Sequence, residues 1–327
     1  MARLIKTSAV PAGLMLLALL TTAQASPKPT TASTSASSIG APGGHRVVWQ
    51  ADPDGDGNPQ IFTCTLEDPT AMAVTPDVAK DPSIARNGDI YYTRSIAPPW
   101  GEGGGSMTSK IFHRMGPKGA EMDVTRNPLA DETDPYISRD DQFLAFTTVR
   151  YFQPTIGVQT NSVELMAYQR PFVEQKQLTR SEDVESDPSV DANGTWFYCT
   201  IKSHDHNQVW RFRWFDTHAD RVAGLESGKN TECSQPSVDG QDRWCAYASA
   251  RDGNSEIYVR DLKTKVETRL TNDKGFDGEP AMTEDGSKIV FVSDRDGDKD
   301  LYVMNRDGSG LKQLTNNTTA DEEPSVQ

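Results

Sequence analysis

The chain has 327 residues, 35% of them hydrophobic, and carries 33 Lys+Arg against 47 Asp+Glu for a formal charge of −14. So acidic a surface repels nucleic acid and anionic lipid at long range and favours cationic ligands or basic patches on a protein partner. The four cysteines include no Cys-x-x-Cys, which leaves the zinc and dithiol redox motifs unsupported.

Residues 1–25 read as an export signal. Arg3 and Lys6 supply a positive start, Pro11–Leu20 an apolar stretch, and Ala23-Gln24-Ala25 small residues for cleavage before Ser26. The stretch falls short of the ~20 residues of a membrane span, and no cysteine follows it until Cys64 to take a lipid. The expectation is a soluble periplasmic or secreted protein without membrane insertion. Removing the signal leaves 31 Lys+Arg against 47 Asp+Glu, a charge of −16. Residues 26–44 are nearly all Ser, Thr, Ala, Pro and Gly and read as a flexible, disordered tether. Residues 45–327 remain as one large all-β domain.

Within that domain a proline motif recurs. Asp81-Pro82-Ser83, Asp134-Pro135-Tyr136, Asp187-Pro188-Ser189, Gln235-Pro236-Ser237, Glu279-Pro280-Ala281 and Glu323-Pro324-Ser325 stand 53, 53, 48, 44 and 44 residues apart. Each mark opens a short inner strand, where a missing N–H costs least. A turn such as Asn87-Gly88, Asn193-Gly194 or Asp285-Gly286 follows, supplying the positive φ of a tight hairpin. A second strand comes next (Ile90–Thr93, Phe143–Thr147, Trp196–Cys199, Ile289–Val292), then a third (Ile111–His113, Val163–Met166, Val209–Phe212, Ile257–Val259, Leu301–Val303). A brief fourth ends near Val124-Thr125, Leu178-Thr179, Leu270-Thr271 and Leu314-Thr315. A self-similar unit of about 40–45 residues with four short strands is the signature of a propeller blade.

The ends complement each other. Arg46–Trp49 is a second strand lacking its inner strand, and Asp321–Gln327 is an inner strand lacking its blade. Pairing them removes two open sheet edges. The predicted fold is therefore all-β, a six-bladed β-propeller with four antiparallel strands per blade and the C-terminal strand closing blade one.

The repeat Glu/Asp-Pro-Ser, Asp-Gly, Ile-x-Phe-x-Ser-x-Arg-Asp-Gly, Ile-Tyr-Val, Leu-Thr resembles the TolB-type, WD-repeat-like propeller repeat over residues 45–327. It is densest in the last two units. The resemblance implies a periplasmic six-bladed propeller whose face docks onto a peptidoglycan-associated lipoprotein. In that family a small α/β domain precedes the propeller. Here the 19-residue tether stands in its place, so contacts made through that domain do not carry over.

The residue before each repeat proline is expected at one channel mouth: Asp81, Asp134, Asp187, Gln235, Glu279 and Glu323. Five carboxylates in one ring would attract a cation or a basic peptide. Arg150, Arg251 and Arg295 recur at one blade position and could instead pair with these carboxylates to tie blades together. Three loops on the same face are unusual: Ser95–Ser106 with Trp100, Tyr151–Ile156 with Tyr151, and Ser203–His206. Trp100 and Tyr151 are the expected aromatic anchors. Asp52, Asp54 and Asp56, followed by Gly57, match the first half of a calcium loop but have Thr63 where a bidentate Glu belongs. They are also ordinary turn chemistry. His204 and His206, with His113, complete the candidate metal ligands. No Gly-x-Ser-x-Gly or Gly-x-Gly-x-x-Gly occurs, and no catalytic residue is assigned. Cys64, Cys199, Cys233 and Cys245 allow three disulfide connectivities. Cys233 and Cys245, in one repeat, are the chosen pair, against buried free thiols for Cys199 and Cys245 on apolar strand positions.

The sequence thus predicts an exported, monomeric, TolB-like binding scaffold for a protein or peptide, needing no cofactor, with calcium the one ion its acidic loop suggests. The alternative is a metal-dependent hydrolase or lyase acting on a sugar or lactone in the channel.

Overall fold

The computed structural model describes residues 44–76, 78–97, 107–125, 130–151, 161–172, 175–180, 183–203, 206–216, 218–224 and 232–327, without the side chains of Arg150, Tyr151, Asn161 and Ser162. Its regular elements are all strands, 24 among the described residues. No helix there is long and apolar enough to cross a membrane.

The strands come in antiparallel runs of neighbours. β1 (Arg46–Ala51), β2 (Gln60–Thr65) and β3 (Met72–Ala73) are followed by β4 (Lys80–Ile84), β5 (Ile90–Ile96), β6 (Thr108–Arg114) and β7 (Glu121–Asp123), which form a sheet of their own. β8 (Asp131–Ile137), β9 (Phe143–Tyr151), β10 (Asn161–Gln169) and β11 (Gln175–Gln177) make the next run. β12 (Val184–Val190), β13 (Trp196–Ser203), β14 (His206–Arg213) and β15 (Ala219–Ala223) join it through one parallel pairing, Val163 with Val184, to give a single eight-stranded sheet. β16 (Cys233–Val238), β17 (Trp244–Ser249), β18 (Glu256–Asp261) and β19 (Glu267–Arg269) form a sheet, as do β20 (Asp277–Met282), β21 (Lys288–Ser293), β22 (Asp300–Asn305) and β23 (Lys312–Gln313). The last strand, β24 (Asp321–Val326), returns to the first sheet in the order β24-β1-β2-β3. Val326 lies opposite Val47 and Asp321 opposite Ala51.

The sheets pack face to face. Ile90, Tyr91 and Tyr92 are all fully buried, a continuous run expected of a strand covered on both sides. Ile90 and Tyr92 join Val48, Ile61 and Ile84 in one core, while Tyr91 joins Ile137, Leu144 and Phe146 in the next. Alternation along the strand thus assigns successive side chains to opposite neighbours.

The Leu-Thr ending of each unit has a clear job. The hydroxyls of Thr75, Thr125, Thr179, Thr271 and Thr315 accept from the amides of Ile61, Ile111, Leu165, Ile257 and Leu301 at 2.9–3.0 Å. They pin the outer edge of the third strand where the fourth is too short to do so. At the turns, Gly88, Gly194 and Gly286 take φ of 86°, 66° and 65° and close on the carbonyls of Ala85, Asp191 and Thr283. Asn87, Asn193 and Asp285 keep negative φ, so only the glycine is left-handed.

All four cysteines are buried and free. The expected Cys233–Cys245 bridge is absent because register separates them: Cys233 pairs with Ser249, and Cys245 pairs with Val238 at the other end of the ladder. A disulfide needs Cα atoms within about 7 Å. Arg251 and Arg295 also differ from expectation. Arg251 binds Glu267 at 2.8 Å and Arg295 binds Asp277 at 2.8 Å, each within its own sheet, so they brace single sheets instead of linking neighbours. The side chain of Arg150 lies outside the described residues.

Candidate functional site

The six pre-proline residues converge. Asp81, Asp134, Asp187, Gln235, Glu279 and Glu323, with their prolines, line one cavity of about 110 Å³ between the inner strands. Each has φ between 50° and 56°, and all six sit at a register shift within their own strand pair. Left-handed backbone costs a non-glycine residue about 1–2 kcal/mol. A residue before proline is also barred from the right-handed helical region, and the bulge turns its side chain toward the axis.

Side chains of the ring and of the neighbouring second strands hold the amides that this bulge leaves unpaired. Glu323 N–H donates to Glu279 Oε2 at 2.7 Å, and Glu279 N–H to Gln235 Oε1 at 3.0 Å. Gln235 N–H reaches Thr200 Oγ1 and Asp81 N–H reaches Gln50 Oε1, both at 2.9 Å. Thr147 donates to Asp134 Oδ2 at 2.8 Å, and Ser186 to Asp187 Oδ2 at 2.9 Å. The ring is partly structural, and Gln235 fits it because an amide oxygen serves as well as a carboxylate. Other oxygens stay available. Asp81 Oδ2 is sealed from solvent and has no hydrogen-bond partner.

Crowding and burial in a small cavity raise four of the ring carboxyls above their ordinary values. Burial, with the charges of Asp81 and Asp187, pushes the Asp134 carboxyl up to about 7. Burial raises Asp81 against the pull of Lys80, and raises Glu279 against the Glu323 amide and Lys299. Glu323 is raised well above the usual range by burial and then by Glu279, Asp81, Asp187 and Asp134. Lys299 stands at the rim, 2.5 Å from Glu322 and 3.9 Å from Glu279.

Arg139 is the feature that sequence reasoning missed. Only 3% exposed, it lines the same cavity. Its guanidinium donates to Ile84 O at 3.0 Å, to Met282 O at 3.3 Å and to Tyr136 Oη at 3.3 Å. It therefore reaches from the end of its own strand to both β4 and β20. Ile84 and Met282 follow their ring residues by three positions, so Arg139 stands deeper than the carboxylates by at most about 10 Å, the full rise of three strand residues. In the sequence it reads as a solvated arginine in the turn Ser138–Asp141; nothing local marks it.

The remaining candidates are dispersed. Trp100, His204 and most of the three long loops fall outside the described residues, as does the Tyr151 side chain. His113 bonds Asp89 at 2.9 Å and stacks on Tyr91, while His206 opens β14 in another sheet, so the two are not brought together. Asp52, Asp54 and Asp56 do bring oxygens within 4.8 Å of one another. Asp52 also accepts from Gly55 and Gly57 at 3.1 and 2.7 Å, as turn chemistry requires. A second such trio, Asp296, Asp298 and Asp300, was legible as alternate aspartates but was not singled out. Among the described residues these are the two groups with ligand atoms so close, and neither includes a ring residue.

An all-β stack of four-stranded runs around a central acidic cavity defines the propeller class. More particularly, residues 230–327 match the TolB beta propeller domain family, and the fold of the chain is similar to that of TolB propellers. No curated protein matches the chain in sequence. Among solved structures, TolB from Acinetobacter baumannii superposes with a TM-score of 0.69 at 14% identity, over 86% of this chain and 66% of that one. A putative TolB from Agrobacterium tumefaciens gives 0.60 at 13% identity, over 83% and 88%. An oligogalacturonate lyase from Vibrio parahaemolyticus gives 0.53 at 14%, over 80% and 72%. At such identities the likeness concerns the fold. This chain spans about two thirds of the Acinetobacter protein.

Proposed function

We propose that this protein is a six-bladed propeller, sealed by β24 on β1, that acts outside the cytoplasm as a monomeric scaffold capturing a basic segment of a protein or peptide partner. The observation that carries this reading is the convergence of five carboxylates and Gln235 on one cavity. Entry is from one face, because Arg139 occupies the deep end. Two further features support an organic cation over a small metal ion. No three ring residues bring oxygens within 4.8 Å, among the described residues, and the net charge is strongly negative. A rigid frame lowers the ordering cost of association. Export is supported by residues 1–25 and by the likeness to TolB proteins.

The test is fluorescence anisotropy with a lysine-rich and a glutamate-rich peptide of equal length. The lysine-rich peptide should bind, weaken with salt, and lose about tenfold in affinity when Asp187→Asn and Glu323→Gln are combined. Equal binding of both peptides, or indifference to the double substitution, would sink the reading.

A second reading is a metal-dependent hydrolase or lyase on a sugar or lactone. What favours it is the fold likeness to the oligogalacturonate lyase and the two aspartate trios. Stoichiometric metal in the purified protein, lost with activity on Asp298→Asn, would support it over the scaffold.

A further inference from the structure

The ring's composition carries a regulatory consequence for the same site, and it rests on the binding reading above. Asp81, Asp134, Asp187, Glu279 and Glu323 share a cavity of about 110 Å³. The only cation lining that cavity among the described residues is Arg139, and it is committed to two carbonyls and a phenol. Lys80 and Lys299 approach from the rim, where Lys299 is shared with Glu322. Five like charges cannot all be ionised in so small a space without a counter-charge. Backbone amides satisfy part of the ring, but Asp81 Oδ2 is sealed and unpartnered, as a carboxylate awaiting a proton or a donor would be.

We propose that a basic group enters this channel in exchange for a proton held by the ring, so that the site captures its ligand at neutral pH and lets it go on acidification. The exchange balances simply. An ammonium or guanidinium arrives with its charge, one ring carboxyl passes its proton to solvent, and the incoming N–H donors take the place of the O–H. No bond other than that O–H is broken.

The groups that set the response come from every inner strand. β4 contributes Asp81 and Lys80, β8 contributes Asp134, Tyr136 and the neighbouring Arg139, and β12 contributes Asp187. β16 contributes the neutral Gln235, β20 contributes Glu279, and β24 contributes Glu323 and Glu322, with Lys299 beside them. Asp134 is the centre of this exchange. It lies near Asp81 and Asp187, and its carboxyl is the one pushed up to about 7.

The experiment is titration calorimetry with Nα-acetyl-lysinamide, a single basic side chain, from pH 5.5 to 8, in two buffers of different ionisation enthalpy. Loss of one proton predicts affinity at least about tenfold tighter at pH 7.5 than at pH 5.5, with a buffer-dependent heat reporting up to one proton released. Asp134→Asn should flatten that dependence and abolish most of the proton release. Binding with the same affinity across the range and no proton release would overturn the exchange while leaving the basic-ligand reading intact. An absence of binding at every pH would overturn both.

Discussion

The hydroxyl of Ser83, at the end of one Pro-Ser motif, accepts the backbone N–H of Ile137 in the neighbouring inner strand at 3.0 Å. The same contact recurs from Ser325 to Ile84 at 3.3 Å, from Ser189 to Val238 at 3.4 Å and from Ser237 to Met282 at 2.9 Å. Inner strands of adjacent sheets share no ladder here, so their inward amides would be buried without acceptors. The serine of the repeat supplies one. Where the motif has Tyr136 or Ala281, that hydroxyl is missing.

Replacing Ser83 or Ser237 by Ala should therefore cost about 1–3 kcal/mol each, since each leaves a buried donor unpaired. Urea unfolding should show this with unchanged m. Ser95→Ala, on an exposed strand end, should stay within about 0.5 kcal/mol. Equal effects at all three positions would remove the serine's role as a tie.

The ring makes stability fall with rising pH. A carboxyl raised in the folded state binds more protons there than when unfolded, so its stabilising contribution is complete below the unfolded value near 4 and is lost as pH rises through about 7. Asp134→Asn should be nearly neutral at pH 4 and stabilising by about 1–2 kcal/mol at pH 8, after allowing for water in the channel. A substitution equally destabilising at both pH values would show that Asp134 serves only Thr147.

Arg139 opposes a cationic ligand from below. At the full depth of about 10 Å and an effective dielectric near 20, one charge is worth about 1.7 kcal/mol. Arg139→Met should tighten binding of a lysine-rich peptide by roughly tenfold while destabilising the fold by about 1–3 kcal/mol, because Ile84 and Met282 lose a buried donor. Weaker peptide binding in a folded variant would place Arg139 among the groups that recognise the ligand.

The seam between β24 and β1 carries its own tie, Trp49 Nε1 donating to Asp321 Oδ1 at 2.9 Å. Trp49→Phe keeps the packing against Phe62 and leaves Asp321 with Asn317 as partner. It should cost about 1–3 kcal/mol. Val326→Ala, fully buried opposite Val47, should cost a similar amount by leaving a cavity. Thermal unfolding followed by tryptophan fluorescence checks both; an unaltered Tm would mean the seam is not cooperative with the rest.

Much of this architecture was legible because the sequence repeats. One Asp-Pro-Ser is ambiguous, but recurrence at a blade-length period fixes strand order, the face of the carboxylates and the pairing of Arg46–Trp49 with the last strand. Features that occur once were not legible. Arg139 shares its place in the unit only with Arg86, which pairs with Glu284 instead, and the partners of Arg139 are carbonyls far away in the chain. The Cys233–Cys245 bridge was misjudged because sharing a unit says nothing about which end of a ladder each occupies, while Cys199 and Cys245 are the buried free thiols their apolar strand positions suggested. Arg251 and Arg295 were expected to link neighbours because an arginine's reach does not reveal its direction. Asp296, Asp298 and Asp300 stood in plain view as alternate aspartates but were passed over because Asp296 belongs to the Arg-Asp-Gly turn of the repeat.

The bond from Trp49 to Asp321 joins positions 272 residues apart. Holding so long a segment shut is an entropic burden that local contacts must first outweigh. The opening sheet is thus expected to be the last to mature. Until its distant partner arrives, Val47, Val48 and Trp49 stand as an apolar edge open to other chains, and assembly should be slowest and most prone to association at that one junction.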